Sequence, residues 1–191
     1  MKKSYSTFGL FSLIIVALIT IFLGFLFGMD NPLPWIVLAV LAIIPYMHER
    51  KIRREYIDWS DKYMVGIELI DHDHQKLVGL LNQVVSAANF NMGDSYVRSV
   101  ISEVVDYTKY HFDREEGLMR DNGYPGLEEH QVQHRSMIEQ VEKFSKRIEE
   151  RPNCEDDVCM EIYRFLKSWL INHITHTDKE VGKYLLSKGQ H

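Results

Sequence analysis

Six residues of the kinds that bind metals stand where the chain otherwise places apolar side chains: His74, His111, Glu115, His130, His134 and His173. Each belongs to a run in which apolar residues recur every three or four positions, the period of one helix face. The runs are Ile70, His74, Leu77, Leu81, Val84, Ala88; then Val97, Ile101, Val104, Thr108, His111, Glu115, Leu118; then Leu127, His130, His134, Met137, Val141, Phe144, Ile148; and Ile162, Leu166, Trp169, His173. A single histidine on such a face is an ordinary core residue. Six polar groups, each costing about 1–3 kcal/mol if buried alone, require a shared partner. His111 with Glu115, and His130 with His134, are spaced i,i+4, so each pair projects from one side of its helix. Imidazole and carboxylate together suit iron or zinc, and six donors exceed what one tetrahedral zinc ion uses. Two metal ions bridged by carboxylate match the count.

The four runs are separated by short breaks at 91–95, 121–126 and 151–153, rich in Asn, Asp, Gly and Pro. Asp94 or Ser95 is the expected cap of the second helix. The fourth helix is expected from about Glu155 to Leu186, and the segment 58–66 reads as an irregular arm. No run reads as a strand. Four helices with short connections make an all-α, up-down-up-down four-helix bundle. In that topology the start of one helix lies level with the end of the next. His74 is near a start, Glu115 near an end, His130 and His134 near a start, and His173 in the later half of the last helix, so all six fall in one layer. Helix four should add one more ligand. His176, at i+3 from His173, shares its face. Asp178, at i+5, lies about 140° away on a regular helix and needs a local π-like loosening to come round. Spacing alone picks His176.

These residues resemble the hemerythrin family, and within it the bacteriohemerythrins, over roughly 59–186. The resemblance runs through Trp59, GIELIDHDHQKL with Asp71 and His74, YHFDREEGLM with His111 and Glu115, EHQVQH with His130 and His134, and WLINHITHTD with His173 and Asp178. It implies two non-haem iron ions with a bridging oxo or hydroxo group, binding dioxygen reversibly. By position, one iron takes His130, His134 and His173 and the other His74 and His111, with Glu115 and Asp178 bridging. The position left open for dioxygen is on the His74–His111 iron. The resemblance thus prefers Asp178 to His176, against spacing, and leaves His176 a solvated or supporting residue. Leu77, Phe112, Trp169, Leu170 and Ile174 are candidates for a dry oxygen pocket or, equally, ordinary core. Asp73 departs from the family, which often has Gln just before this first histidine. His72, about 200° round the helix from His74, faces solvent.

The remaining composition divides the chain. Lys2, Lys3 and Asp30 are the only charged residues in 1–47, which leaves 20 of the 22 basic and 26 of the 27 acidic side chains to the rest. That acidic balance argues against nucleic acid as a partner. Residues 8–29 carry no charge and as a helix would span about 33 Å, enough for a bilayer core. The run is too long for a signal peptide and ends in GMDNP instead of a small-residue cleavage site. After an Asp-Asn-Pro turn, a second apolar run, 32–48, is short, and Pro34 and Pro45 trim its helical part. Arg50, Lys51, Arg53 and Arg54 follow. With basic residues at both outer ends and Asp30 in the turn, the expectation is a two-helix anchor over 1–48, a basic juxtamembrane linker over 49–58 and the diiron bundle over 59–187. The protein would then sit in the bacterial inner membrane as a multi-pass protein with the bundle in the cytoplasm; a second run that failed to cross would put the bundle outside. Cys154 and Cys159, in CEDDVC, read as free thiols in that compartment.

The expected function is dioxygen binding by a membrane-anchored carrier, not an enzyme, with the lipid bilayer and a membrane oxidase, oxygenase or signalling protein as partners. An oxygen or redox sensor acting through a partner is the first alternative and a diiron peroxidase or oxidase the second. Five neutral imidazoles against two carboxylates donate less charge to iron than carboxylate-rich oxygen-activating bundles, which disfavours oxidising chemistry.

Overall fold

The computed structural model describes residues 7–90, 92–149 and 156–191. They divide into two compact units, one ending at Glu55 and the other beginning at Tyr56.

The first unit is a pair of helices, α1 (Thr7–Leu26) and α2 (Pro32–Glu55), packed on each other as a hairpin. The turn is built by its own sequence. Asn31 Oδ1 accepts the Leu33 N–H at 3.1 Å, and its Nδ2 donates to the Gly24 carbonyl at 3.3 Å. Gly24 is required here because a Cβ would run into the Pro34 ring. The rings of Phe25 and Trp35 meet edge to face at 5.4 Å. Two expectations are corrected. Pro34 and Pro45 do not shorten α2: Pro34 sits in the first turn, where its missing N–H costs nothing, and the helix continues through Pro45. Residues 49–55, expected as linker, are the last turns of that helix. Among the described residues, only α2 is long and apolar enough to cross a membrane; the described apolar part of α1, Ser12–Leu26, is shorter.

The second unit is the bundle. An arm with one 3-10 turn, Asp61–Tyr63, leads into α3 (Glu68–Asn89), α4 (Asp94–Asp121), α5 (Leu127–Glu149) and α6 (Asp156–His173); a π-helical turn (Ile174–Asp178) then joins α6 to α7 (Lys179–Ser187). Helix α3 packs on α4 and α6, and α5 on α4 and α6, which closes a four-membered ring. No strand occurs among the described residues. Apolar stripes meet at the centre: Ile70, Leu77, Leu81 and Val84 from α3, Ile101 and Val104 from α4, Met137 and Val141 from α5, Ile162 and Leu166 from α6, Val181 and Leu185 from α7. The cap position expected of Asp94 or Ser95 falls one residue earlier. Gly93, at φ +94°, occupies the cap and Asp94 is the first helical residue. The connection at 151–153 and Cys154 lie outside the described residues, as does the side chain of Cys159.

The arm is tied to the bundle at two places. The buried Asp71 carboxylate accepts the N–H groups of Val65 at 2.6 Å and Gly66 at 3.0 Å. On the other side, Gly182 of α7 lies against the Val65 carbonyl so closely that any side chain there would collide with it.

Candidate metal centre

All seven residues expected to bind metal are buried and come together in one layer of the bundle. They form two adjoining sets, each with its donor atoms within 4.8 Å of one another: Glu115, His130, His134 and His173; and His74, His111 and Asp178. Two carboxylates join the sets. Asp178 Oδ1 lies 3.1 Å from His173 Nε2 and 3.7 Å from His130 Nε2, while its Oδ2 lies 3.3 Å from His74 Nε2. Glu115 Oε2 is 3.2 Å from His130 Nε2, 3.6 Å from His134 Nε2 and 3.9 Å from His111 Nε2.

The spacing of the imidazoles tests what the sets can hold. His134 Nε2 lies 3.0 Å from both His130 Nε2 and His173 Nε2. At metal–nitrogen distances of about 2.1 Å, ligands at right angles stand about 3.0 Å apart, and ligands at the tetrahedral angle about 3.4 Å. His134 therefore stands from both neighbours at the right-angle spacing of an octahedral ion and not at the tetrahedral spacing. Both oxygens of Asp178, Oε1 of Glu115 and both ring nitrogens of His74 are buried without a hydrogen bond. Orphan donors of this number and kind are satisfied by cations. Seven donor residues in two adjoining sets fit a pair of metal ions and exceed what one tetrahedral zinc uses.

Asp178 reaches the site because helix four is not regular. The π-helical turn over Ile174–Asp178 contributes one extra residue, which turns Asp178 onto the face of His173. His176, the residue picked by spacing, points outward instead: it is exposed, and its Nδ1 lies 2.9 Å from the Asn172 carbonyl. The correction follows from the π turn, since i+3 loses the shared face once the turn is widened. His72 is solvent-facing, as expected.

Behind the donors stand carboxylates that periodicity did not single out for this purpose. Glu116 Oε1 accepts from His134 Nδ1 at 2.9 Å, and its Oε2 accepts from Gln131 Nε2 at 2.6 Å. Glu116 is adjacent to a ligand and polar on a partly buried face, which is the only sequence signal for it. Asp73 lies behind His111, with Oδ2 3.5 Å from Nδ1. Burial works to raise the Asp73 carboxyl, but the nearby His111 imidazole, the Tyr107 hydrogen bond and the Arg114 charge outweigh it and lower it from the ordinary aspartate value. Burial and the Asp73 partner push the Tyr107 phenol up to about 12. Burial also holds the His134 imidazole far down, with His130 and His173 adding to it, so it is neutral and able to donate a lone pair. At Asp178 burial opposes ionisation, and the facing His173 and His74 imidazoles outweigh it, holding the carboxyl well below the usual carboxylate value.

The five pocket candidates separate. Leu77, Leu170 and Ile174 are buried core. Phe112 stacks on His134 with centroids 3.5 Å apart and planes 5° from parallel, and Trp169 stacks on His173 at 4.2 Å. Those two aromatic rings hold imidazoles of the three-histidine set. A surface cleft beside Phe112, Glu116, His134 and Ile138 and another beside Tyr124, His130 and Gln133 reach the same set from outside.

Comparison with known proteins agrees with this geometry. Residues 65–185 match the Hemerythrin HHE cation binding domain. A bacteriohemerythrin of Stenotrophomonas maltophilia is 36% identical over 121 residues, covering 63% of this chain and 76% of that protein. One from Clostridium acetobutylicum is 32% identical over 125 residues, 64% of this chain and 95% of the relative. The myohemerythrin of Riftia pachyptila is 27% identical over 120 residues, with 63% and 86% covered. A crystal structure of wild-type hemerythrin superposes with a TM-score of 0.61, covering 68% of this chain and 97% of that one at 23% identity, which shows the shared fold. The chain belongs to the hemerythrin family, whose cation-binding domain covers the buried donor layer.

Proposed function

We propose that this chain is a membrane-anchored oxygen-binding protein. One iron would be held by His130, His134 and His173 and the other by His74 and His111, with the Glu115 and Asp178 carboxylates shared between them. The observation that carries the reading is the Asp178 carboxylate, whose two oxygens reach one donor set each. Two ferrous ions in such a site would supply the two electrons that reversible dioxygen binding needs. The chain's own residues do the rest. Two carboxylates among five imidazoles keep the donated charge low. The stacked rings of Phe112 and Trp169 fix His134 and His173, and Leu77, Leu170 and Ile174 keep water from the layer.

The membrane part rests on composition and exposure. The apolar side chains of the hairpin are largely uncovered, Phe27 at 83% and Ile36 at 59%, a surface suited to lipid. We place both helices in the bilayer of a bacterial inner membrane, with α1 completed by its first residues, and the bundle on the cytoplasmic side beside Arg50, Lys51, Arg53 and Arg54. The bilayer concentrates oxygen, so an anchored binder would serve a membrane oxidase or oxygenase. Sensing is the second reading.

The test uses the full chain purified in detergent. Iron per chain is measured, then the visible spectrum of the reduced protein is followed through cycles of oxygen and nitrogen. Two irons with a band that comes and goes support oxygen binding. Two irons that oxidise once and never return favour redox sensing. Absence of iron overturns the diiron assignment.

A further inference from the structure

Two buried carboxylates lie outside the donor sets. Asp71 ties down the arm; Asp73 does something else. It is completely buried. Oδ1 accepts hydrogen bonds from the Tyr107 hydroxyl at 2.8 Å and from Arg114 Nη1 at 3.0 Å. Oδ2 has no hydrogen-bond donor and faces His111 Nδ1 at 3.5 Å, an atom that is itself buried without a hydrogen bond. The other ring nitrogen of His111 is turned toward the donor layer, 3.9 Å from Glu115 Oε2. The imidazole therefore stands between a buried carboxylate and the His74–His111–Asp178 set. The clamp on Asp73 is well made. Tyr107, Tyr110 and Arg114 lie on successive turns of α4, the Tyr107 and Tyr110 rings are 5.5 Å apart, and the Arg114 guanidinium sits over the Tyr110 ring at 4.5 Å.

We propose that Asp73 is a positioning residue that sets the charge behind the His74–His111 iron, with Arg114 as its counterweight. The inference rests on the diiron reading and deepens it. A carboxylate oxygen 3.5 Å behind Nδ1 favours the tautomer that carries the proton there and leaves the lone pair on Nε2, and its charge makes that nitrogen a stronger donor. Negative charge so placed favours the more oxidised ion, and a cation on the same carboxylate takes part of that effect back. The second set carries a related device with a different balance. Glu116 stands behind His134, but its far oxygen is held by the neutral amide of Gln131, not by a guanidinium. The two irons are thereby made unequal from outside their own ligands, and Asp73 with Arg114 adjusts the one that the ligand count leaves open.

The test reads potential and affinity in the iron-loaded full chain in detergent. Asp73→Asn keeps the shape and removes the charge. It should retain helical circular dichroism, raise the midpoint potential of the centre in a mediated spectroscopic titration, and weaken one of the two irons about tenfold in chelator competition. Arg114→Gln removes the counterweight and should lower the potential. Opposite signs are the signature, because a merely structural role moves both variants the same way or neither. Two irons bound with unshifted potentials, or with shifts of one sign, overturn the role of Asp73 and leave the diiron reading standing. An unaltered chain that binds no iron overturns both. If Asp73→Asn does not fold, Arg114→Gln, at a partly exposed side chain, decides the matter alone: a potential that does not fall refutes the proposal.

Discussion

At the residue scale, the question is which polar groups in the core bind and which support. His176 and Asp178 are two residues apart, yet one is exposed and the other is 1% accessible with both oxygens orphaned. Asp178→Ala should therefore cost at least one of the two irons, while His176→Ala leaves both, as measured by iron analysis of the purified chain; the reverse pattern would restore the spacing-based choice. Tyr107 offers a second check, on the Asp73 clamp. Its phenol is raised to about 12 by burial and by the Asp73 hydrogen bond and charge, against about 10 for a free phenol. Between those values the folded chain keeps a proton that the unfolded chain has lost. This contribution to stability is therefore whole below pH ~10 and disappears as pH rises through about 12. A tyrosinate absorbance titration of the native chain minus that of Tyr107→Phe should show its step near 12, and a step near 10 would mean that the clamp is not formed.

At the element scale, the bundle and six of the seven donors were legible because helical period is a strong signal: polar residues on an apolar stripe fall on the buried face whatever their chemistry. Asp178 was legible only through resemblance, because a single widened turn leaves no mark in a period of 3.6. The continuation of α2 through Pro45 was likewise hidden, since proline is an unfavourable local signal that neighbouring turns can override. The π turn has its own logic. On a regular helix Asp178, Val181 and Leu185 would sit about 140°, 80° and 120° from His173; removing one residue from the count brings all three to within about 40°. Val181 and Leu185 are both fully buried, so core and site demand the same correction. Deleting His176 should then convert the turn to ordinary α-helix and keep the alignment. The expected result is two irons and near-native helicity by circular dichroism. Inserting one alanine after His176 rotates the ligand and both core residues away, and iron should be lost. A deletion that abolishes iron binding would show that the widened turn matters for more than registry.

At the scale of the whole molecule, charge is distributed as two populations: residues 1–47, almost free of it, and an acidic remainder, with Arg50, Lys51, Arg53 and Arg54 gathered where the two meet. Acidic residues contribute little to membrane orientation, whereas a cluster of Lys and Arg within a few residues of a span contributes most. The short hairpin loop carries Asp30 and no basic residue, so nothing there competes with the cluster. If both helices cross, the bundle faces the cytoplasm, and a fluorescent protein fused after His191 should fluoresce while alkaline phosphatase fused at the same point stays inactive. Replacing the four basic residues with glutamine should weaken this preference and raise phosphatase activity, because Lys2 and Lys3 then hold the orientation alone. If α2 alone fails to cross, the same fusion reports the opposite: an active phosphatase in the unaltered chain. That outcome would move the diiron bundle to the outer face, where its oxygen would come from the medium and where Cys154 and Cys159 would meet an oxidising compartment. The reporter therefore decides which partners are within reach of the site, a question on which the ligands themselves are silent.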